Sequence, residues 1–218
     1  MPFLVFCRCA YLAGDYAGVP QHVWEAHKYV HALKGDNIKG YASIPVRNAK
    51  QLLNQLTRGQ APQWFGVHAA DMLAGVAAPY YLVPIPSSSA AVGSTVVSRT
   101  LVLANEVQKA LASAGVAVLD AIRWDKALVP AHQGGPRFAD EVYPHVRIIA
   151  QIPKGARVVL VDDVKTSGGH LQAVAAALRE HHAEVIHAVC GGCTVKEAVG
   201  DSWTVTTEVL EDYEPPEF

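Results

Sequence analysis

Arg157-Val158-Val159-Leu160-Val161-Asp162-Asp163-Val164-Lys165-Thr166-Ser167-Gly168-Gly169-His170 is the stretch on which the reading of this chain turns. Its run of apolar residues bounded by turn signals predicts a strand buried on both faces, as in a parallel sheet. The strand is expected to end on two carboxylates, to turn through Thr-Ser-Gly-Gly, and to open a helix. Leu171 to Leu178 (LQAVAAAL) supplies that helix, being rich in strong helix formers with apolar residues at helical spacing. A helix that starts on small residues offers unpaired backbone N–H groups and the positive end of its dipole, which suits a phosphate. Asp162 and Asp163, just before the turn, suit the hydroxyls of a sugar, or a cation carried in by the phosphate. The working idea is sugar-phosphate recognition. The plain alternative is an ordinary strand, turn and helix whose two acids only cap the helix.

The rest of the composition bounds that idea. The 218 residues are enough for one sizeable α/β core, and 50 % hydrophobic with 17 % charged residues describes a globular chain. A net charge of −2 gives no general basic surface, so charge does not point to nucleic acid as a partner. The apolar stretch Met72 to Pro86 is broken by Gly75, Pro79 and Pro84 and is too short to span a bilayer. The start, MPFLVFCRCAYL, has no basic segment followed by a small-residue cleavage site, and a cytoplasmic protein without membrane contact is expected. The four cysteines fall as Cys7/Cys9 and Cys190/Cys193. Free, partly buried thiols are the default; a redox or metal half-site at CGGC, or one four-thiolate zinc site from both pairs, is the alternative.

Taken in order, Phe3 to Leu12 alternates loosely and predicts an edge strand. Val23 to Leu33 predicts a helix stopped at Lys34-Gly35, and Pro45 to Leu56 predicts another, stopped at Arg58-Gly59. Tyr80 to Pro86 predicts a second buried strand, which must finish at its prolines and run into Ser87-Ser88-Ser89. A helix is expected over Arg99 to Ser113 and a short strand over Gly115 to Leu119. Arg123 to His145 shows no strong period and is long for a connection, which marks a functional lid or a disordered segment. Val146 to Ile152 and Glu184 to Val189 predict further strands, and Trp203 to Val209 another before an acidic, Pro-rich end. Strands alternating with helices imply right-handed crossovers, a mostly parallel doubly wound sheet, and a ligand at the carboxyl ends of its strands.

The run of apolar residues, the acid pair, and Thr166-Ser167-Gly168 after two further residues resemble the signature of the type I phosphoribosyltransferases. Those proteins bind 5-phosphoribosyl-1-pyrophosphate (PRPP) with Mg²⁺. Two positions depart from the pattern: Lys165, where the family usually has an apolar residue, and His170, where a Thr often helps to hold the 5′-phosphate. The order of parts is similar to that family over roughly residues 80–189, and VPIP, VHALKGD and VDDVKTSGGH resemble its ComF-like group. That group often begins with a four-Cys zinc module, of which this chain has only Cys7 and Cys9. It also carries an Arg-Gly-Phe-Asn-Gln segment, of which only Arg99 remains.

The resemblance implies one type I phosphoribosyltransferase-like domain over residues 1–218. Residues 1–75 would form a small hood-like accessory on the acceptor side, 76–195 the PRPP-binding core, and 196–218 a C-terminal strand and tail. Asp162 and Asp163 would hold the ribose hydroxyls and favour the cation developing on the ring. Val164, Lys165, Thr166, Ser167, Gly168, Gly169 and His170 would wrap the 5′-phosphate. Ser87, Ser88, Ser89 and Arg99 would face the pyrophosphate, and Arg123 to Arg137 would be the flexible loop, with Arg137 as its preferred cation. Arg123, Lys126, Lys34 and His132 are further candidates, each also readable as a surface group. Lys165 would either contact phosphate or point to solvent. Mg²⁺ would arrive with PRPP rather than on protein ligands. The expected activity is transfer of the phosphoribosyl group to a small nitrogen acceptor with release of pyrophosphate. A non-catalytic PRPP- or nucleotide-binding regulator, or a DNA-uptake or DNA-processing accessory, is the alternative. Tyr29, Trp64, Phe65 and Tyr80 are candidates to stack on a base, though aromatic residues more often belong to a core. A second copy of the chain is a candidate partner.

Overall fold

The computed structural model describes residues 1–14, 16–130 and 133–216. His132 therefore lies outside the described residues. The chain begins with β1 (Phe3–Leu12), α1 (Gln21–Leu33), the hairpin β2 (Ala42–Val46) and β3 (Ala49–Leu53), and α2 (Ala61–Met72). Next come β4 (Tyr80–Pro84), α3 (Arg99–Leu111), β5 (Val116–Val118), β6 (Ile122–Trp124), α4 (Ala139–Val142) and β7 (Val146–Ile148). The last part holds β8 (Arg157–Lys165), α5 (Gly169–Glu180), β9 (Glu184–Val195) and β10 (Thr206–Leu210).

Six strands make the central sheet in the order β10-β1-β9-β8-β4-β5, parallel throughout except where β10 runs against β1. The fold is thus α/β with a mostly parallel sheet. Two apolar cores lie on its opposite faces. One gathers Val158 and Leu160 of β8 with Leu171, Val174 and Leu178 of α5. The other gathers Val159 and Val161 with α1, α2 and α3. This is why the strand reads as a continuous apolar run: successive residues face opposite cores. Each buried Val or Leu contributes about 1.5–3 kcal/mol relative to exposure.

β4 and β8 are neighbours, and the chain leaves β4 towards β5 but reaches β8 on the other side. The helices that follow them, α3 and α5, therefore lie on opposite faces of the sheet and leave a crevice at the carboxyl ends, the usual place for a ligand in an open α/β sheet. Asp162-Asp163 and Ser87 both fall there.

Several expectations are corrected. The Pro45 to Leu56 stretch is a hairpin, not a helix. Ile44 and Leu53 are fully buried on one face, and the chain reverses at Arg47, whose φ of 51° lies in the left-handed region that such two-residue turns require. β1 is not an edge strand, because β10 closes over its free side. The lid region is partly regular, with β6 and β7 pairing antiparallel in a separate small sheet. β8 does not end on its acids but runs through them to Lys165. β9 likewise continues past Val189 through the whole Cys-Gly-Gly-Cys stretch. α2 was not anticipated; its signal was Pro62 at the first turn, where a missing N–H costs nothing.

The two glycines of β9 explain that continuation. A Cβ on Gly191 would lie 2.2 Å from Leu33 Cδ1 and 2.8 Å from the Asp163 carbonyl oxygen; on Gly192 it would lie 2.9 Å from Val30 Cγ2. Bare strand is needed here so that the end of α1 can settle beside the acid pair.

Candidate active site

Asp163 is buried and forms an ion pair with Arg99, whose Nε donates to the carboxylate from the first turn of α3. The Asp163 N–H donates to Asp162 Oδ1 at 2.8 Å. Burial, reinforced by the charge of Asp163, pushes the Asp162 carboxyl well above the usual carboxylate range, against the pull of Arg99. Asp163 is thus neutralised by Arg99, and ionisation of Asp162 calls for a further cation or for hydroxyl donors.

The turn after β8 is open. Thr166 and Ser167 are exposed, and Gly168 takes φ 89° as the residue before α5, with no side-chain cap on the helix. Gly169 must be glycine for a different reason than phosphate approach: a Cβ would meet the Arg137 carbonyl oxygen at 2.2 Å. The backbone at Arg137-Phe138 crosses the start of α5, and the Ser167 hydroxyl donates to the Arg137 carbonyl. Arg137 is therefore brought to the turn through its backbone. Its own N–H donates to Glu141 Oε2 at 2.8 Å.

Lys165 departs from both of its expected roles. It is buried, and Nζ donates to Glu208 Oε2 of β10 at 2.8 Å. Leu210 packs on Gly168 so closely that a Cβ there would lie 2.8 Å from its Cδ1. Gln172 reaches the Glu211 carbonyl at 2.9 Å. The C-terminal strand thus supports the turn from behind, a role no signal in the tail sequence announced.

His170 stands in the first turn of α5 with its ring set edge-on to Trp124, the two ring centres 5.6 Å apart. Burial lowers its pKa, with Asp163 pulling the other way, so the imidazole is a neutral donor or acceptor. Trp124 is fully buried, and its Nε1–H donates to the Ser87 carbonyl at 3.0 Å. The Leu128 N–H donates to the Ser88 carbonyl at 2.8 Å. The Ser87 N–H donates to Ser98 Oγ at 3.0 Å, closing the loop from below. Ser87 is buried, Ser88 half-buried and Ser89 exposed. The serine loop and the acid pair thus meet at Arg99.

Other candidates are not brought together. Arg123 is held by Asp120 through Nη1 and Nη2 at 2.5 and 2.6 Å. Lys126 is exposed, and Lys34 Nζ lies 5.1 Å over the Tyr11 ring. Tyr29, Trp64, Phe65 and Tyr80 belong to the core between the sheet and α1–α3, not to a stacking surface. The four-thiolate site is not formed. Cys7, Cys190 and Cys193 lie in one core and Cys9 in the other, where its thiol contacts the Gly191 carbonyl at 3.2 Å. Among the described residues no group of three or more His, Cys, Asp or Glu is placed to hold a metal ion, and all four cysteines are free thiols. No helix among the described residues is long and apolar enough to cross a membrane.

Residues 90–195 match the family described as phosphoribosyl transferase domain. The match takes in Arg99, the acid pair, the open turn and all of β9, and leaves out Ser87–Ser89 and the accessory segment. Among solved structures, the chain is similar to adenine phosphoribosyltransferase from Saccharomyces cerevisiae, crystallised with D-2,5-dideoxy-2,5-imino-altritol 1,6-bisphosphate and adenine. The identity is 18 % over 76 % of this chain and 88 % of that one, with a TM-score of 0.41. It is also similar to adenine phosphoribosyltransferase from Thermoanaerobacter pseudethanolicus, at 16 % identity over 75 % of this chain and 99 % of that one, with a TM-score of 0.42. A phosphoribosyltransferase from Corynebacterium diphtheriae is similar at 18 % identity over 79 % and 82 %, with a TM-score of 0.34. No curated protein matches the sequence.

Proposed function

We propose that this protein is a phosphoribosyltransferase that moves the 5-phosphoribosyl group of PRPP to a nitrogen acceptor and releases pyrophosphate. The observation that carries the reading is the acid pair at the carboxyl end of the central strand, followed at once by the open turn and the uncapped start of α5. It lies inside the segment that matches the phosphoribosyl transferase domain.

In this reading Thr166 to Gly169 receive the 5′-phosphate with hydroxyl and backbone N–H donors. Asp162 and Asp163 take the ribose hydroxyls. Arg99, already paired with Asp163 and rooted beside the serine loop, bridges the ribose and pyrophosphate sides of the crevice. The acceptor nitrogen forms its bond to the anomeric carbon as the bond from that carbon to the pyrophosphate oxygen breaks. The bonding pair leaves with the pyrophosphate, and the nitrogen gives its proton to solvent. Positive charge grows on the ring during this exchange, and the fixed carboxylates are worth most at that moment. No covalent intermediate on protein is needed; positioning and electrostatics suffice.

The residues present fit Mg²⁺. The donors at the crevice are carboxylates and hydroxyls, hard oxygen ligands, and a cation beside Asp162 would offset the burial and the Asp163 charge that disfavour its ionised form. Mg²⁺ arriving with PRPP would neutralise leaving-group charge. We further propose that residues 1–218 act as one domain, with α1, the β2–β3 hairpin and α2 as the acceptor-side accessory. Calorimetry with PRPP and Mg²⁺, followed by a pyrophosphate-release assay, tests the reading. It predicts saturable PRPP binding that Asp163→Asn weakens, and full PRPP affinity in that variant would sink it.

A further inference from the structure

A concavity of about 430 Å³ lies between the accessory segment and α3, and nothing above uses it. Its walls include Leu33 at the end of α1, Leu56, Arg58 and Pro62 beyond the hairpin, and Arg99 and Val102 of α3. It adjoins the acid pair in two ways. Arg99, one of its walls, is the residue that pairs with Asp163. Leu33, another, packs on bare Gly191 at a point where a Cβ would also lie 2.8 Å from the Asp163 carbonyl oxygen.

We propose that this pocket receives the nitrogen acceptor, and that the acceptor is a flat ring carrying a carboxylate or similar anionic substituent. The inference rests on the phosphoribosyltransferase reading and deepens it. The volume falls in the range of small-molecule sites. Leu33, Leu56, Pro62 and Val102 supply apolar walls for a ring, and Leu56 is 94 % exposed, an apolar side chain at the rim for a ring to cover. Two guanidinium groups, Arg58 and Arg99, share the pocket, the second already paired with Asp163, and among the described residues no acidic side chain lines it. The nearest acid by chain position, Asp36, holds the His31 ring, with Oδ2 2.6 Å from Nδ1, and also acts on the charge of Arg99. Among the described residues Arg58 is held in place through Nη1, which donates to the Gly35 carbonyl at 2.7 Å and the Asp36 carbonyl at 3.3 Å. A guanidinium anchored at one corner presents the rest of its planar fork, the group best matched to a carboxylate. A neutral base would leave that charge facing apolar walls unanswered.

The test separates this inference from the reading beneath it. Calorimetry measures PRPP with Mg²⁺ first, and absence of PRPP binding would sink the broader reading along with the inference. With PRPP and Mg²⁺ saturating, nicotinate, orotate, quinolinate and anthranilate are then titrated beside adenine, hypoxanthine and cytosine. At least one carboxylate-bearing ring should bind in preference to every neutral base. Arg58→Met should weaken that ring by about tenfold or more and leave PRPP affinity within about twofold. Val102→Trp, which fills the pocket from the opposite wall, should abolish ring binding with the same neutrality towards PRPP. Preference for neutral bases, or no binding of any carboxylate ring while PRPP binds, overturns the inference alone. So does a loss of PRPP affinity in Arg58→Met, which would assign Arg58 to pyrophosphate.

Discussion

Lys165 and Glu208 allow a sharp test, because the two halves of the pair differ so much in burial: 8 % of the lysine side chain is exposed against 56 % of the glutamate. Glu208→Gln would leave an ammonium buried without a counter-charge. At 2.8 Å and an effective dielectric constant of 20 the gross attraction is about 6 kcal/mol. Water at the exposed carboxylate screens most of it, so a net loss of about 2 kcal/mol is expected. For a chain of this size that corresponds to a fall in Tm of about 4–8 °C. Lys165→Met keeps an unbranched stem in the same space, removes the buried charge, and returns Glu208 to water. It should cost less than about 1 kcal/mol. Thermal unfolding at matched pH and salt measures both, and the double variant should behave like Lys165→Met. If Lys165→Met is as destabilising as Glu208→Gln, the lysine contributes through packing or through its neighbouring thiols, and the electrostatic account fails.

Further expectations concern the site and the acid limb. Gly191→Ala forces Leu33 and the Asp163 backbone apart and should cost about 1–3 kcal/mol. Adding Leu33→Ala should recover stability but not PRPP affinity, since the contact with the Asp163 carbonyl remains; recovery of both in calorimetry would contradict this. Asp162→Asn removes a carboxylate that burial and Asp163 disfavour, so it should stabilise the unliganded protein by about 1 kcal/mol while losing PRPP binding. Because the folded-state pKa is raised, the wild type loses stability relative to this variant as pH climbs above the ordinary value of 3.8. A constant difference between the two proteins from pH 4 to 8 would refute the shift. His68 works in the opposite direction. Burial, with Arg8 donating to its Nδ1 at 3.1 Å, lowers its pKa to about 3. The unfolded chain then binds the proton more readily, and stability should fall as pH drops below about 6.5. A His68 ring signal titrating near pH 6 in nuclear magnetic resonance would contradict that.

The central strand and its turn were legible because each physical demand leaves a mark in local sequence. Two-sided burial writes an apolar run, an open helix start writes small residues, and the acid pair breaks the run between them. Val159, Val161, Leu171 and Val174 all lie where those marks put them. What the sequence hid depends on residues far apart in the chain. Lys165 looks like a loop cation until Glu208 is beside it, and Arg99 looks like a surface charge until it meets Asp163. The CGGC stretch reads as thiol chemistry because cysteines draw the eye. Its glycines carry the larger structural message, and only Val30 and Leu33 of α1 make that message visible. The hairpin at Pro45 to Leu56 was missed for a simpler reason: short apolar spacing there fits either period, and the turn at Arg47 has no glycine to announce it.

Glu208 and Leu210 also bear on the order in which the protein can become competent during synthesis. β8 and the turn at residues 166–169 leave the ribosome some forty residues before the strand that braces them. Until residues 206–212 have emerged, Lys165 has no counter-charge, Gly168 has no Leu210 against it, and Arg179 lacks Asp212. A nascent chain halted before β10 should therefore hold an assembled sheet around an unfinished pocket. Chains truncated at that point would be captured poorly by immobilised PRPP, however well their β8 and β9 are paired.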